Sequence, residues 1–595
     1  MFLNKKSKSI FLFSILGLFL LTAVVMKSFF FEKKPFIKKE TQIIQSITTD
    51  KASYQPDETI QFTTKLPKKY TDGTLRITYY HLNDIISYQK VKVAKNEVHW
   101  SWKPSKEDFK GYLVRVHYES QTEKDHQTIA VDVSSDWSKF PRYGFLSNFH
   151  EMSNEEMDSV ISKLNRYHIN GLQFYDWHFK HHQPIQLDHK KPADHWEDIA
   201  NRSTSLKTIQ TYIDLAHGRN MKTMAYNLLY GAFAEAEKDG VKTEWRLFKD
   251  QQKNEHDYHP LPKEWKSDVF LVNPGNREWQ TYLFNQQQKV YKALPFDGWH
   301  IDQLGPRGKV FDYSGNSVAL DESFQGFLEN AKKEMPKKSL VMNAVSQYGQ
   351  KQIGQSPVDF LYTEVWDQDK YYRDLKRIID ENGQYSQGKM NTVLAAYMNY
   401  EFSNQPGTFN TSGILLANSV IFASGGSHLE LGEHMLSKEY FPHENLKMSQ
   451  SLQTKLLHYY DFLVAYENVL REDVKEVPIS IQSDWVHFSS EPKLGKIWSF
   501  AKQKGNQKVI HFINFFDAKT LEWRDTYAIQ PEPKNRKHLP VQLEEDRPIK
   551  KVWMASPDKQ NGIPISIPFK QENNKVTFTL PSLKYWDMVV IEFEK

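Results

Sequence analysis

The sequence predicts a multidomain protein built on a (β/α)8 TIM barrel, with an Ig-like β-sandwich before it and a second β-sandwich after it. Three features point to this. With 595 residues, the chain is too long for one compact core. Its middle alternates short apolar runs with amphipathic helical segments, the pattern of parallel βα units. Towards both ends the pattern instead has period two and is broken by Pro, Asn and Gly turns, as in antiparallel sandwiches.

At the N-terminus, Lys5, Lys6 and Lys8 precede an uncharged apolar run from Ile10 to Met26, so residues 1–31 have the layout of an export signal. As a helix this run spans roughly 25 Å, slightly short for a bilayer, but Phe29 to Phe31 beyond Lys27 could lengthen it. No small-x-small cleavage site follows, so a cleaved signal peptide and an N-terminal membrane anchor both stay open. Either places the rest of the chain outside the cytoplasmic membrane, secreted or tethered to its outer face. Residues 32–47 read as a charged linker, with Lys33, Lys34, Lys38 and Lys39. Residues 48–134 carry runs such as TIQFTTKL and YLVRVHY between turns at Gln55-Pro56-Asp57 and Thr71-Asp72-Gly73, which predicts the first sandwich.

In residues 135–470, eight candidate strands start near Tyr143, Ile169, Lys222, Phe296, Leu340, Val358, Thr392 and Val420. Between them, Ser153 and Glu156 form a capping box, and the segment from Asn276 to Leu294 places Trp279, Leu283, Val290 and Leu294 on one helical face. A doubly wound open sheet is the alternative, because periodicity does not show closure. A long helix from about Met448 to Leu470 closes this part, and runs such as KVIHFINFF and MVVIEFEK then predict the second sandwich over 471–595.

Composition narrows the chemistry. Lys+Arg 77 against Asp+Glu 73 leave a formal charge of +4 with no basic stripe, so there is no electrostatic case for nucleic acid. The absence of cysteine excludes disulfides, thiolate metal sites, a cysteine nucleophile and a lipidated cysteine anchor. Aromatic residues make up 14%, which suits stacking on the apolar faces of sugars, although most must belong to cores. No phosphate loop, dinucleotide fingerprint or G-x-S-x-G elbow is present, and no cofactor is expected. His178, His181 and His182 match no zinc spacing and read as a binding rim.

In a barrel, residues at the C-terminal ends of strands face the active site. Strand four ends at Asp302 and strand six at Glu364. Period two groups Gly298, His300 and Asp302 on one face, and Phe360, Tyr362 and Glu364 on another. One strand separates the two acids, a spacing that permits the roughly 5 Å carboxyl separation of retaining glycosidases. Each acid taken singly could be structural; together they suit nucleophile and general acid/base. Asp176, Asn343, Tyr397, Asn399, His428 and Glu430 occupy comparable strand-end positions, as pocket residues or loop ties. Trp177, Trp366 and Tyr397 are the expected stacking residues, and Tyr175, His178, Gln303 and Asp367 complete the expected substrate-binding set.

The motifs NGLQFYDWHFKHHQP, DGWHIDQLG, LYTEVWD and GGSHLELGEHMLSKEYFP, in this order, resemble glycoside hydrolase family 66, the dextranases and cycloisomaltooligosaccharide glucanotransferases. The resemblance runs from about Ser135 to Leu470. It implies a retaining, endo-acting enzyme on α-1,6-linked glucan, with Asp302 as nucleophile, Glu364 as general acid/base and Asp176 as an important pocket acid. Cyclising members of the family carry a carbohydrate-binding module inserted in the barrel. No barrel loop here is long enough for one, the stretch from Tyr400 to Thr411 being short, so hydrolysis is expected over cyclisation. A transferase, and a surface glucan-binding protein without catalysis, are the alternatives.

Overall fold

The computed structural model describes residues 39–483 and 486–594, so the export-signal reading of residues 1–31 lies outside them. No helix among the described residues is long and apolar enough to cross a membrane. A five-stranded and a three-stranded sheet, with strands running from Lys39–Glu40 to Glu123–Val133, form the first sandwich. Ile43, Ile44 and Ile47 are buried in its core with Phe62 and Val114. The expected linker over residues 32–47 is therefore corrected for residues 39–47. So short an apolar cluster beside lysines has no readable period, yet it fills the end of the sandwich.

The central domain is a (β/α)8 barrel. Its strands are β1 (Tyr143–Leu146), β2 (Gly171–Phe174), β3 (Lys222–Leu228), β4 (Gly298–Asp302), β5 (Ser339–Val345), β6 (Leu361–Glu364), β7 (Thr392–Ala395) and β8 (Ser427–His428). Neighbours pair in parallel in that order. The barrel closes where the Phe145 N–H donates to Leu431 O at 3.2 Å and the Ser427 hydroxyl to Pro141 O at 2.7 Å. Glycine permits this seam: a Cβ at Gly144 would meet Leu431 O at 2.8 Å, and one at Gly432 would meet Phe145 O at 2.5 Å. An open sheet is thus set aside.

The outer helices are α1 (Asn154–Arg166), α2 (Leu206–Gly218), α3 (Arg277–Ala293), α4 (Leu320–Glu334), α5 (Gln350–Gly354), α6 (Tyr372–Tyr385), α7 (Thr411–Ser424) and α8 (Gln450–Ala465). The expected capping box heads α1, with Ser153 and Glu156 bonded reciprocally. The apolar face of α3 is buried through Trp279, Leu283 and Val290. Period two holds in β4, where Trp299 and Ile301 join the helix-side core while His300 and Asp302 face inward.

Two expectations need correction. The strand expected from Val420 begins inside α7, because a short apolar run does not distinguish a buried helix from a buried strand. Every residue from Ser412 to Ser424 is buried, and only Ser427–His428 form β8. The single helix expected over 448–470 breaks at Tyr466 and resumes at Glu467–Leu470.

A seven-stranded and a four-stranded sheet form the second sandwich, from Lys475–Val477 to Trp586–Phe593. Between its strands Gln507–Asn514 and Arg536–Glu544, the connection 515–535 reaches back to the barrel. There Trp523 N–H donates to Lys370 O at 3.1 Å and Asn399 N–H to Arg524 O at 2.8 Å. The domains are therefore locked together at the end of the barrel that carries the strand C-termini.

Candidate active site

The C-terminal ends of the barrel strands surround a cleft of about 790 Å³, within the range of small-molecule sites. Asp302 and Glu364 both line it, and Asn343 of β5 stands between them. Its side-chain amide donates to Asp302 Oδ1 at 2.8 Å and to Glu364 Oε2 at 3.0 Å. The two N–H bonds of one amide diverge by about 120°, so these oxygens lie about 5 Å apart, the separation typical of retaining enzymes.

The two acids differ in their surroundings. Asp302 accepts from the Tyr226 hydroxyl at 2.6 Å, from the Gln303 N–H at 2.8 Å and from Asn343. Burial raises its pKa, and these three donors, which favour the ionised form, pull it back down. Glu364 accepts from the Tyr397 hydroxyl at 2.7 Å and from Asn343. Burial, and then the Asp302 charge, push its carboxyl up to about 7, against the Tyr397, Asn343 and Trp366 donors. The pair therefore titrates in two steps. The first proton leaves mainly from Asp302, with more donors, and the second stays on Glu364 until near neutrality. One carboxylate and one carboxylic acid about 5 Å apart can attack an anomeric carbon and protonate its leaving oxygen.

Asp176 follows β2 at a left-handed backbone angle, φ 49°, a conformation costly for a non-glycine residue and frequent at functional sites. It lines the cleft, and its Oδ2 is buried with no hydrogen-bond partner. Burial pushes its carboxyl up to about 8, although Arg202 opposes the rise. One layer deeper, His300 stacks on Tyr143 and meets Tyr362 edge-on, kept neutral by burial, which lowers its pKa to about 3. These rings form a rigid floor beneath the acids.

Residues 49–590 match the family described as Glycosyl hydrolase family 66. The chain belongs to this family. It is similar to the cycloisomaltooligosaccharide glucanotransferase of Niallia circulans, at 27% identity covering 92% of this chain and 72% of that protein. It is also similar to the dextranase of Streptococcus salivarius, at 22% identity covering 87% and 73%. Among solved structures, the cycloisomaltooligosaccharide glucanotransferase of Paenibacillus sp. complexed with cycloisomaltoheptaose superposes with a TM-score of 0.86 at 26% identity, over 93% of this chain and 100% of that one. This family 66 chain is thus a glycoside-active enzyme.

Of the residues singled out from sequence, Tyr175, Asp176, Asp302, Gln303, Asn343, Glu364, Trp366 and Tyr397 line the cleft of the family 66 enzyme. So do His181, His300 and Tyr362, whereas Trp177, His178, Asp367, Asn399 and Glu430 lie away from it. Trp177 is fully buried against Trp196 and Phe296, because the turn at Asp176 breaks the strand alternation and sends the indole beneath the barrel rim. His178 is buried too, bonded through Nε2 to His181 Nδ1 at 2.9 Å, and it is His181 that reaches the cleft. Asn399 donates to Asp525 O at 2.8 Å and ties a loop to the second sandwich. Glu430 is held by Asn418 at 2.8 Å and Tyr460 at 3.0 Å behind β8. Asp367 points to solvent, its side chain 90% exposed.

Sequence reasoning missed Tyr226, whose inward place two residues before the end of β3 was a readable signal. It also missed Trp265, Tyr440 and Phe441, which line the cleft from irregular loops that have no period to read. Phe441 stacks on Tyr175 at 4.1 Å. Among the described residues no His, Asp and Glu cluster is arranged to hold a metal, and His182 is engaged by Asp239 at 2.9 Å.

Proposed function

We propose that this family 66 enzyme hydrolyses internal α-1,6-glucosidic linkages of dextran or isomaltooligosaccharides by double displacement, with retention at the anomeric carbon. The observation that carries this reading is the Asn343 amide shared by Asp302 and Glu364. It supports a carboxyl separation suited to a covalent glycosyl-enzyme, and too short for a water molecule and a sugar ring between the acids. Glu364 protonates the glycosidic oxygen as Asp302 attacks the anomeric carbon. Water deprotonated by Glu364 then opens the ester, which returns Asp302 as a carboxylate and Glu364 as an acid. The raised pKa of Glu364 supports its presence as an acid at the start of the cycle. The relatives named for dextran cleavage and isomaltooligosaccharide cyclisation support the substrate class.

A second reading, transfer to a sugar hydroxyl, is favoured by the relatives and the solved structure that are transferases. Loop size favours hydrolysis. Between β7 and α7 the chain holds only a one-turn helix at Phe402–Asn404 and the two-residue strand Gly407–Thr408. The basic and apolar leader supports action outside the cytoplasmic membrane, secreted or anchored.

Incubation with dextran and chromatography of the products tests the proposal. Linear isomaltooligosaccharides are expected, and Asp302→Asn is expected to release fewer reducing ends by about 10⁴-fold or more. Cyclic products would favour transfer. An Asp302→Asn enzyme with unchanged rate would remove Asp302 from the mechanism.

A further inference from the structure

The side chain of Arg524 comes from the second sandwich, yet it lies against the wall of the cleft. It is 7% exposed and sits at the tip of the connection 515–535. Its guanidinium lies 5.4 Å from the ring centre of Trp366, 5.0 Å from that of Tyr400 and 4.9 Å from that of Trp523. It donates to Val365 O at 3.2 Å and stands 3.5 Å from Asp367 Oδ1. The loop beneath it is fixed from several sides. Asn410 donates to Asp525 Oδ2 at 2.8 Å, the Trp523 indole to Asp369 O at 2.6 Å, and the Phe402 N–H to Thr526 O at 3.0 Å.

We infer that Arg524 is a positioning residue for the glucan, acting through Trp366: the second sandwich supplies a cation that fixes this indole as a sugar platform beside Glu364. The inference rests on the glucan-cleaving reading of the site. Trp366 lines the cleft two residues after Glu364, half-buried, just past the end of β6. A guanidinium is planar and weakly hydrated, so it lies flat on an aromatic face, whereas an ammonium, like that of Lys438 4.6 Å over Tyr400, meets a ring only as a point charge. Here it fills the space behind Trp366 and Tyr400, whose rings meet edge-on at 6.3 Å, and its bond to Val365 O ties it to the backbone that carries the indole. A ring supported from behind presents a fixed face to a sugar; without that support it turns, and bound sugar must reorder it.

Arg524→Met keeps the stem and loses the planar cation, and Arg524→Lys keeps the charge and loses the plane. Both are expected to raise the KM for dextran about tenfold, with kcat within about twofold and the melting midpoint close to that of the unaltered enzyme. In a Trp366→Ala background, Arg524→Met is expected to change KM by less than about twofold, because its effect passes through the missing ring. An equal KM effect in both backgrounds would overturn the inference, as would an unchanged KM or loss of folding in both Arg524 variants. Absence of dextran cleavage by the unaltered enzyme would count against the glucan reading; normal cleavage with unaffected variants would count against Arg524.

Discussion

Asn343→Ala should displace both limbs of the pH–rate profile in the same direction. The amide donates to Asp302 and to Glu364, and in both it favours the ionised form. Its removal therefore raises both pKa values. The acid limb, set by ionisation of Asp302, moves to higher pH, and so does the alkaline limb, set by loss of the Glu364 proton near 7. A hydrogen bond to a charged group contributes about 1.5–3 kcal/mol, and 1.36 kcal/mol corresponds to one pH unit, so each limb should move by about one to two units. Asp302 keeps Tyr226 and Gln303, so the rate at the new optimum should fall only about 10- to 100-fold. Two companion variants separate the acids. Tyr226→Phe removes a donor from Asp302 alone and should move the acid limb. Tyr397→Phe removes one from Glu364 alone and should move the alkaline limb. Initial rates of reducing-end release from dextran between about pH 3 and 9 measure all three. If Asn343→Ala left both limbs in place, or Tyr226→Phe moved the alkaline one, the assignment of roles would be wrong.

Two further outcomes are expected. Glu364→Gln should keep its first step on a substrate whose leaving group needs no proton, such as a glycosyl fluoride, and accumulate glycosyl-enzyme visible by mass spectrometry; the same loss on fluoride and dextran would refute the acid role. Trp177→Phe should leave the KM for dextran unchanged and lower stability in denaturant by about 1–3 kcal/mol, since the indole is core rather than platform; a raised KM in a fully stable protein would contradict its buried position.

What was legible in the sequence depended on regular backbone. Inside β4 and β6 the two-residue alternation holds up to the last residue, so the inward positions of His300, Asp302, Tyr362 and Glu364 could be read directly. Just past a strand end this logic fails. Asp176 and Asn399 both adopt left-handed angles, φ 49° and 54°, and after such a turn alternation no longer says which way a side chain points. Trp177 was misplaced for that reason. In α7 the apolar residues run all round the helix, so no amphipathic stripe marks it as helical. Arg524 left no trace at all, because a contact between residues 366 and 524 depends on how two domains dock, and local pattern carries nothing about docking.

The burial of α7 on every side bears on how the protein is made. Its outer surface is covered by the second sandwich, with Ser412 Oγ 3.1 Å from the hydroxyl of Tyr585. Most of that cover is translated after the barrel. Until strand Trp586–Phe593 leaves the ribosome, the nascent barrel carries an apolar stripe that water meets directly. Shortened genes that stop after the barrel should accordingly yield aggregates, and a host rich in chaperones should improve the yield of the full-length product.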